Sequence, residues 1–92
     1  MIRVEMTVNG KIKSINTRFE TLSMYDKGDL IGGYVWDIYD NDICIPTYAA
    51  IGRVCSDGLP VFFMVPRPLG GFLQVIMKKT GKGLSLYGIH TH

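Results

Sequence analysis

Apolar and polar positions alternate from the start of the chain: Ile2, Val4, Met6 and Val8 are interleaved with Arg3, Glu5 and Thr7. A period of two residues is the mark of a half-buried strand. Asn9-Gly10 follows, then KIKSIN, so the first unit is expected to be a β-hairpin closed by a type I′ turn, in which both central residues take positive φ. Thr17-Arg18-Phe19-Glu20 fits the Thr-x-x-Glu capping box and predicts a short helix over about residues 18–27, ending at Gly28. Another strand is the competing reading of that stretch.

From residue 34 onward the pattern reads as strand after strand. YVWDIY alternates, Asp40-Asn41-Asp42 is expected to turn the chain into Ile43-Cys44-Ile45, and Pro46 confines that segment to a sheet edge or ends it. AAIGRVC meets Asp57-Gly58, a second hairpin signal, before LPVFFMV; FLQVIMKK meets Thr80-Gly81-Lys82-Gly83 before LSLYGI. The fold expected from this pass is mainly β, with α+β as the possible variant. It is a small antiparallel barrel or sandwich of six to eight short strands with at most one short helix near residues 18–27.

Residues 59–77, LPVFFMVPRPLGGFLQVIM, are apolar on both sides. One face of the first strand would carry Leu59, Val61, Phe63 and Val65, and Leu73, Val75 and Met77 would share the core face of the second. That leaves Phe62, Met64, Phe72 and Ile76 as a second apolar surface. Burying each such side chain stabilises by about 1.5–3 kcal/mol, so four hold roughly 6–12 kcal/mol, comparable to the whole stability of a small domain. Cover by the chain's own helix or hairpin, a second copy and a ligand groove are the three ways to keep that surface dry. With so little spare mass for a third layer, self-association through Phe62, Met64, Phe72 and Ile76 is the functional expectation.

Length and composition narrow the class. Ninety-two residues make one domain, 1–92, and 47% hydrophobic against 20% charged residues describes a chain that folds. The N-terminus has no apolar signal region and no segment is long enough to span a bilayer, so a cytoplasmic protein with reduced, mostly buried Cys44 and Cys55 is expected, with no membrane partner. Charge is segregated: residues 21–60 hold six aspartates against Lys27 and Arg53, while residues 61–92 hold Arg67, Lys78, Lys79 and Lys82 with no acid. Such a division suits packing within the fold or docking to an oppositely charged partner.

No motif for catalysis stands out. Asp37, Asp40 and Asp42 lack the spacing of a calcium loop, and His90-x-His92 lacks the three or four ligands that zinc requires. Cys44 between two isoleucines is expected to be a poor nucleophile, and no Gly-x-Ser-x-Gly elbow or phosphate loop occurs. No cofactor and no metal is therefore assigned. An aromatic-acidic surface at Tyr34, Trp36, Asp37 and Tyr39 is the candidate for a protein partner or a small cationic ligand. Arg67, held between Pro66 and Pro68, adds a guanidinium on a stiffened backbone, suited to a carboxylate or an aromatic face. The reading is a non-enzymatic binding protein that forms a homodimer. A small barrel binding single-stranded nucleic acid is the alternative, disfavoured because the aromatics lie beside aspartates, and a small enzyme is third.

Overall fold

The computed structural model describes residues 1–16, 19, 27–67 and 70–91. Five strands form one antiparallel sheet: β1 (Ile2–Thr7), β2 (Ile12–Ile15), β3 (Val61–Pro66), β4 (Phe72–Thr80) and β5 (Gly83–Thr91). Between β2 and β3 lie three described helices, α1 (Lys27–Leu30), α2 (Val35–Ile38) and α3 (Asn41–Asp57). The strand order is β2-β1-β5-β4-β3, so the first and last strands pair at the centre and the sheet stays open. The expectation of an all-β barrel or sandwich is thereby corrected to an α+β open sheet covered on one face by helix.

The hairpin β1–β2 forms as the alternation predicts, but by a different loop. Gly10, at φ 90°, ends a three-residue connection in which its N–H donates to the Thr7 carbonyl at 3.0 Å and Thr7 N–H donates to the Lys11 carbonyl at 2.8 Å. This is the geometry of a tight turn closed by a left-handed glycine, in place of a two-residue type I′ turn. Val8 falls in that loop and is exposed.

The larger correction concerns residues 34–57. YVWDIY, ICI and AAIGRVC, all read as strands, lie in or beside α2 and α3. The residues α3 buries are Thr47, Ala50, Ile51 and Val54, spaced three and four apart, which is the stripe of a helix seated on a sheet. Asp40 occupies the N-cap position and Asp42 the first turn, where carboxylates face the positive end of the helix dipole. Asp57-Gly58 is no hairpin: Gly58 at φ 71° is the C-cap, its N–H donating to the Val54 carbonyl at 2.9 Å. Pro46 sits inside the helix, where it cannot donate to the carbonyl of Asp42. Loss of such a bond costs about 3 kcal/mol in a helix interior, but Ile51 and Val54, 8% and 0% exposed, each contribute about 1.5–3 kcal/mol by burial. Packing therefore outweighs the proline.

The capping box Thr17–Glu20 lies outside the described residues, as does most of the helix expected over 18–27. The described helix α1 runs through Gly28 instead of ending there. Asn16 supplies the visible anchor: its Oδ1 accepts from the N–H groups of Phe19 (3.0 Å) and Arg3 (3.1 Å), and its Nδ2 donates to the Met1 carbonyl at 2.8 Å.

Register sorts the sheet into two faces. Toward the helices point the rows Val61–Met77–Leu86–Val4–Ile15 and Phe63–Val75–Gly88–Ile2, which form the core with Leu30, Val35 and α3. Away from them point Phe62–Ile76–Tyr87–Arg3 and Met64–Gln74–Ile89. The division of residues 61–77 into a core set and an outer set is as predicted, except that Leu59 precedes the strand and is 66% exposed.

Candidate functional site

The inner face of the sheet and the segment from α2 to the first turns of α3 do not meet everywhere. Between them lies a cavity of about 120 Å³. Its floor is the sheet, with Val4, Val75, Leu86 and Gly88, and its walls include Phe19, Val35, Tyr39, Ile43 and Thr47. Gly88 contributes no side chain to the row between Val75 and Ile2. Leu73 leans across it: a Cβ at Gly88 would stand 3.1 Å from the Leu73 Cγ, Cδ1 and Cδ2.

The backbone of 32–35 places the wall. Gly32 N–H donates to the Ile12 carbonyl (2.8 Å), Ile12 N–H to that of Gly33 (2.9 Å), and Val35 N–H to that of Gly10 (2.9 Å). These bonds cover the β2 edge of the sheet and hold α2 above β1 and β2. Trp36 tightens the same joint, its Nε1 donating to the Asn9 carbonyl at 2.9 Å, with its ring edge-on to Tyr48 at 5.7 Å between centroids.

Polar groups on the cavity wall are few. The Thr47 hydroxyl donates to the Ile43 carbonyl at 2.7 Å, which spends its proton within α3 but leaves its oxygen able to accept. Tyr39 and Arg67 complete the described polar lining. Arg67 is half-buried and follows directly on β3. Its N–H donates to the Gly71 carbonyl at 3.0 Å and its carbonyl accepts from Gly70 N–H at 3.1 Å, so the stem of the side chain starts from a fixed backbone.

The five residues read as a ligand or partner surface are thus divided. Tyr39 and Arg67 line the cavity. Trp36 is bound to the β1–β2 loop, Tyr34 precedes α2 and bridges to Lys11, and Asp37 is exposed in the first turn of α2. Sequence reasoning missed the rest of the cavity because its lining is ordinary core apolar residues. The signal that existed was the helical spacing of Ile43, Thr47, Ala50 and Val54, which places Ile43 and Thr47 over the sheet.

Cys44 is half-buried, its Sγ 3.2 Å from the Tyr39 carbonyl and 3.5 Å from that of Val35. Burial, with the Asp40 carboxylate adding to it, pushes this thiol above its ordinary value, as expected for a poor nucleophile. Cys55 differs from the expectation: it is exposed, and both cysteines are free. His90 lies within β5, paired with Leu73 in backbone register. Among the described residues no three His, Cys, Asp or Glu side chains converge as a metal site, and no helix is long and apolar enough to cross a membrane.

The outer face carries a separate apolar surface. Phe62 is 76% exposed, Met64 50%, Phe72 51% and Ile89 57%, while Ile76 is half-buried. Below them the face turns polar: Arg3 pairs with Glu5 at 3.0 Å, and the Ser85 hydroxyl donates to Glu5 Oε2 at 2.7 Å. The Arg3 guanidinium and the Lys78 ammonium each lie 5.8 Å from the centre of the Tyr87 ring.

No family model matches the chain, and no curated protein matches it in sequence. Solved structures do match it in shape. A domain of an HTR-like protein from Haloarcula marismortui superposes with a TM-score of 0.82 at 16% identity, over 99% of this chain and 97% of that one. The PAS domain of the RpfR quorum-sensing receptor from Cronobacter turicensis, in complex with BDSF, gives 0.83 at 14% identity over 99% and 93%. The same receptor domain in complex with C12:0 gives the same figures. PAS-B of Drosophila melanogaster Cycle, with bound ethylene glycol, gives 0.73 at 11% over 99% and 100%. The likeness extends over almost the whole chain, and the strand order, the central pairing of first and last strands and the helical cover are all accounted for: this protein has the PAS fold, an open five-stranded antiparallel sheet packed against helix.

Proposed function

We propose that this chain is a sensory module that binds a small apolar molecule between its sheet and its helices. The observation that carries the reading is the cavity itself: about 120 Å³ lined almost wholly by apolar side chains, in a domain too small to leave such space without cost. An apolar cavity of about 150 Å³ holds a molecule the size of benzene, so the ligand class is small, with roughly six heavy atoms inside the core. Support comes from the solved PAS domains of RpfR, in complex with BDSF and with C12:0, which share the fold over 99% of this chain. Titration of the 15N-labelled protein with benzene-sized apolar molecules tests it. Saturable shifts of Val75, Leu86 and Gly88 amides support the reading, and shifts scattered over the surface end it.

A second observation favours self-association. Phe62, Met64, Phe72 and Ile89 leave about 400–600 Å² of apolar surface per chain in water, taking aromatic side chains at about 150–250 Å² each. Two such faces together approach the ~1,000 Å² that a specific interface needs. The patch carries no side-chain charge, so it does not repel a copy of itself. Gln74, between Met64 and Ile89 on the same row, presents a donor and an acceptor that match their own image across a two-fold axis. The partner in this reading is a second copy, and light scattering over a concentration series tests it. The nucleic-acid alternative relied on a barrel, and the sheet is open.

A further inference from the structure

The two edges of the sheet are built differently. At β2 the chain covers its own edge: the Ile12 carbonyl accepts from Gly32 N–H at 2.8 Å, and Ile12 N–H donates to the Gly33 carbonyl at 2.9 Å. Tyr34 bridges to Lys11, a register shift between Glu5 and Met6 interrupts the ladder, and Lys11 and Lys13 add charge. Such features keep a further chain from adding to a sheet. β3, the opposite edge, has none of them between its ends. Val61, Phe62, Phe63, Met64 and Val65 are uncharged and pair with β4 in unbroken register. Among the described residues, no backbone bond reaches them from outside the sheet.

The loop after the strand shows which groups face outward. Arg67 N–H donates to the Gly71 carbonyl at 3.0 Å, so residue 67 turns its backbone toward the β4 side. In an antiparallel ladder consecutive residues turn their N–H and C=O groups to opposite sides. Val61, Phe63 and Val65 therefore bond to β4, while Phe62, Met64 and Pro66 turn theirs away from the sheet. Pro66, with no N–H to give, stands where β4 requires none. Phe62 and Met64 are exposed, and their outward N–H and C=O groups have no partner among the described residues.

We infer that the free edge of β3 takes an extended, uncharged peptide segment of another protein as a sixth strand. Donors and acceptors at strand spacing are matched by a second strand, whereas a helix keeps its own backbone groups bonded within itself. Beside Phe62 and Met64, whose side chains lie on the outer face, the segment carries apolar or β-branched residues, because a charge placed there would lose water without gaining a partner. Pro60 and Pro66 confine the pairing to Val61–Val65. So short an edge buries far less than the ~1,000 Å² that two folded chains need, which selects a single segment over a second copy. The site does not rest on the cavity, and a contact between outer faces, made by side chains, leaves this backbone edge free.

The probe is a capped heptapeptide that alternates valine and threonine, beginning with valine, titrated into the whole 15N-labelled chain at fixed protein concentration. Saturable downfield shifts of the Phe62 and Met64 amide protons are expected, with those of Phe63 and Val65, already bonded to β4, moving much less. The same peptide methylated on every backbone nitrogen keeps its side chains but has no donors, and is expected to bind at least about tenfold more weakly. Met64→Pro removes an N–H that β4 does not use, and is expected to leave a dispersed spectrum and abolish the shift at Phe62. Should that variant unfold, the methylated peptide decides the matter on the native chain. Undiminished binding of the methylated peptide, or no shift at Phe62 and Met64 with about 1 mM of the unmethylated one, overturns the proposal. Slowed hydrogen exchange of these two amides on raising the protein concentration alone assigns the edge to a second copy, and overturns it as well.

Discussion

Gly10 lies directly beneath Trp36: a Cβ built on the glycine would stand 2.7 Å from the indole Cε2, Cζ2 and Nε1. The same indole donates from Nε1 to the carbonyl of Asn9. The β1–β2 loop and the start of the helical segment are locked together there, and the lock demands two things of residue 10. It must accept φ 90°, and it must have no side chain. Gly10→Ala is expected to lower stability by at least about 2 kcal/mol, through left-handed strain and displacement of the ring. Urea unfolding of the variant against wild type measures it. A loss below about 0.5 kcal/mol, the range of ordinary surface changes, would show that the ring moves away freely.

Leu86 lies at the middle of the cavity floor, paired with Val4 on one side and Met77 on the other. Leu86→Phe adds bulk where space already exists. The variant is expected to remain within about 1–2 kcal/mol of wild type, since the cavity absorbs the volume that would strain a filled core. It is also expected to lose affinity for benzene-sized apolar molecules. Unchanged binding with unchanged stability would place the ligand elsewhere.

Phe62 faces away from the helices and is exposed. Phe62→Asp is therefore expected to leave a folded chain, and to abolish self-association at every concentration at which the wild type dimerises, because burying an unpaired carboxylate at an apolar interface costs several kcal/mol. Light scattering with circular dichroism separates these results. Unfolding would instead assign the ring to the chain's own core.

The Cys44 thiol is pushed above its ordinary value of 9.0 by burial first and by the Asp40 carboxylate second. As pH rises past that value the unfolded chain loses the thiol proton while the folded chain still holds it. The contribution is thus fully present below about pH 9 and is lost as pH climbs toward the folded value. Urea midpoints at about pH 8 and about pH 10 should converge more closely in Cys44→Ala than in wild type. In the native protein Cys55, exposed at the end of α3, is expected to react with a thiol reagent well before Cys44.

Asn16 joins the start of β1 to Phe19 through three bonds of 2.8–3.1 Å. Replacing a residue that receives an N–H three positions on by alanine costs about 1–2 kcal/mol. Asn16→Ala is expected to fall in this range, and to weaken the binding of benzene-sized apolar molecules as well, because Phe19 forms part of the cavity wall. Stability and affinity falling together would identify Asn16 as the hinge of that wall.

All five strands were legible, β1 as alternation and β3 and β4 as two-sided apolar runs between turn signals, and so was the division of residues 61–77 into inner and outer sets. The sequence misled where apolar runs were short and β-branched. Ile43-Cys44-Ile45 with Pro46 close behind reads locally as an edge strand, and YVWDIY alternates over six residues by accident of composition. In both stretches local pattern competed with a weaker but longer signal, the three-and-four spacing from Ile43 to Val54, and packing on β3 and β4 made the longer signal win. The candidate site was legible only at Arg67, where two prolines mark an unusual setting, and at Tyr39. Its remaining residues are apolar and look the same whether they enclose space or fill it.

By itself the chain determined which side chains share a face within a strand, because hydrophobic period depends only on neighbours a few residues apart: Ile2, Val4 and Met6 on one side of β1, Val61 and Val65 on one side of β3, and Val75 and Met77 on one side of β4. Only the tertiary structure decided that β1 and β5 meet at the centre, that the sheet does not close, and that a cavity remains between its inner face and the helical segment. Those outcomes depend on pairings as distant in sequence as Ile2 with Gly88 and on how volumes sum across them, and no local window of sequence contains either quantity.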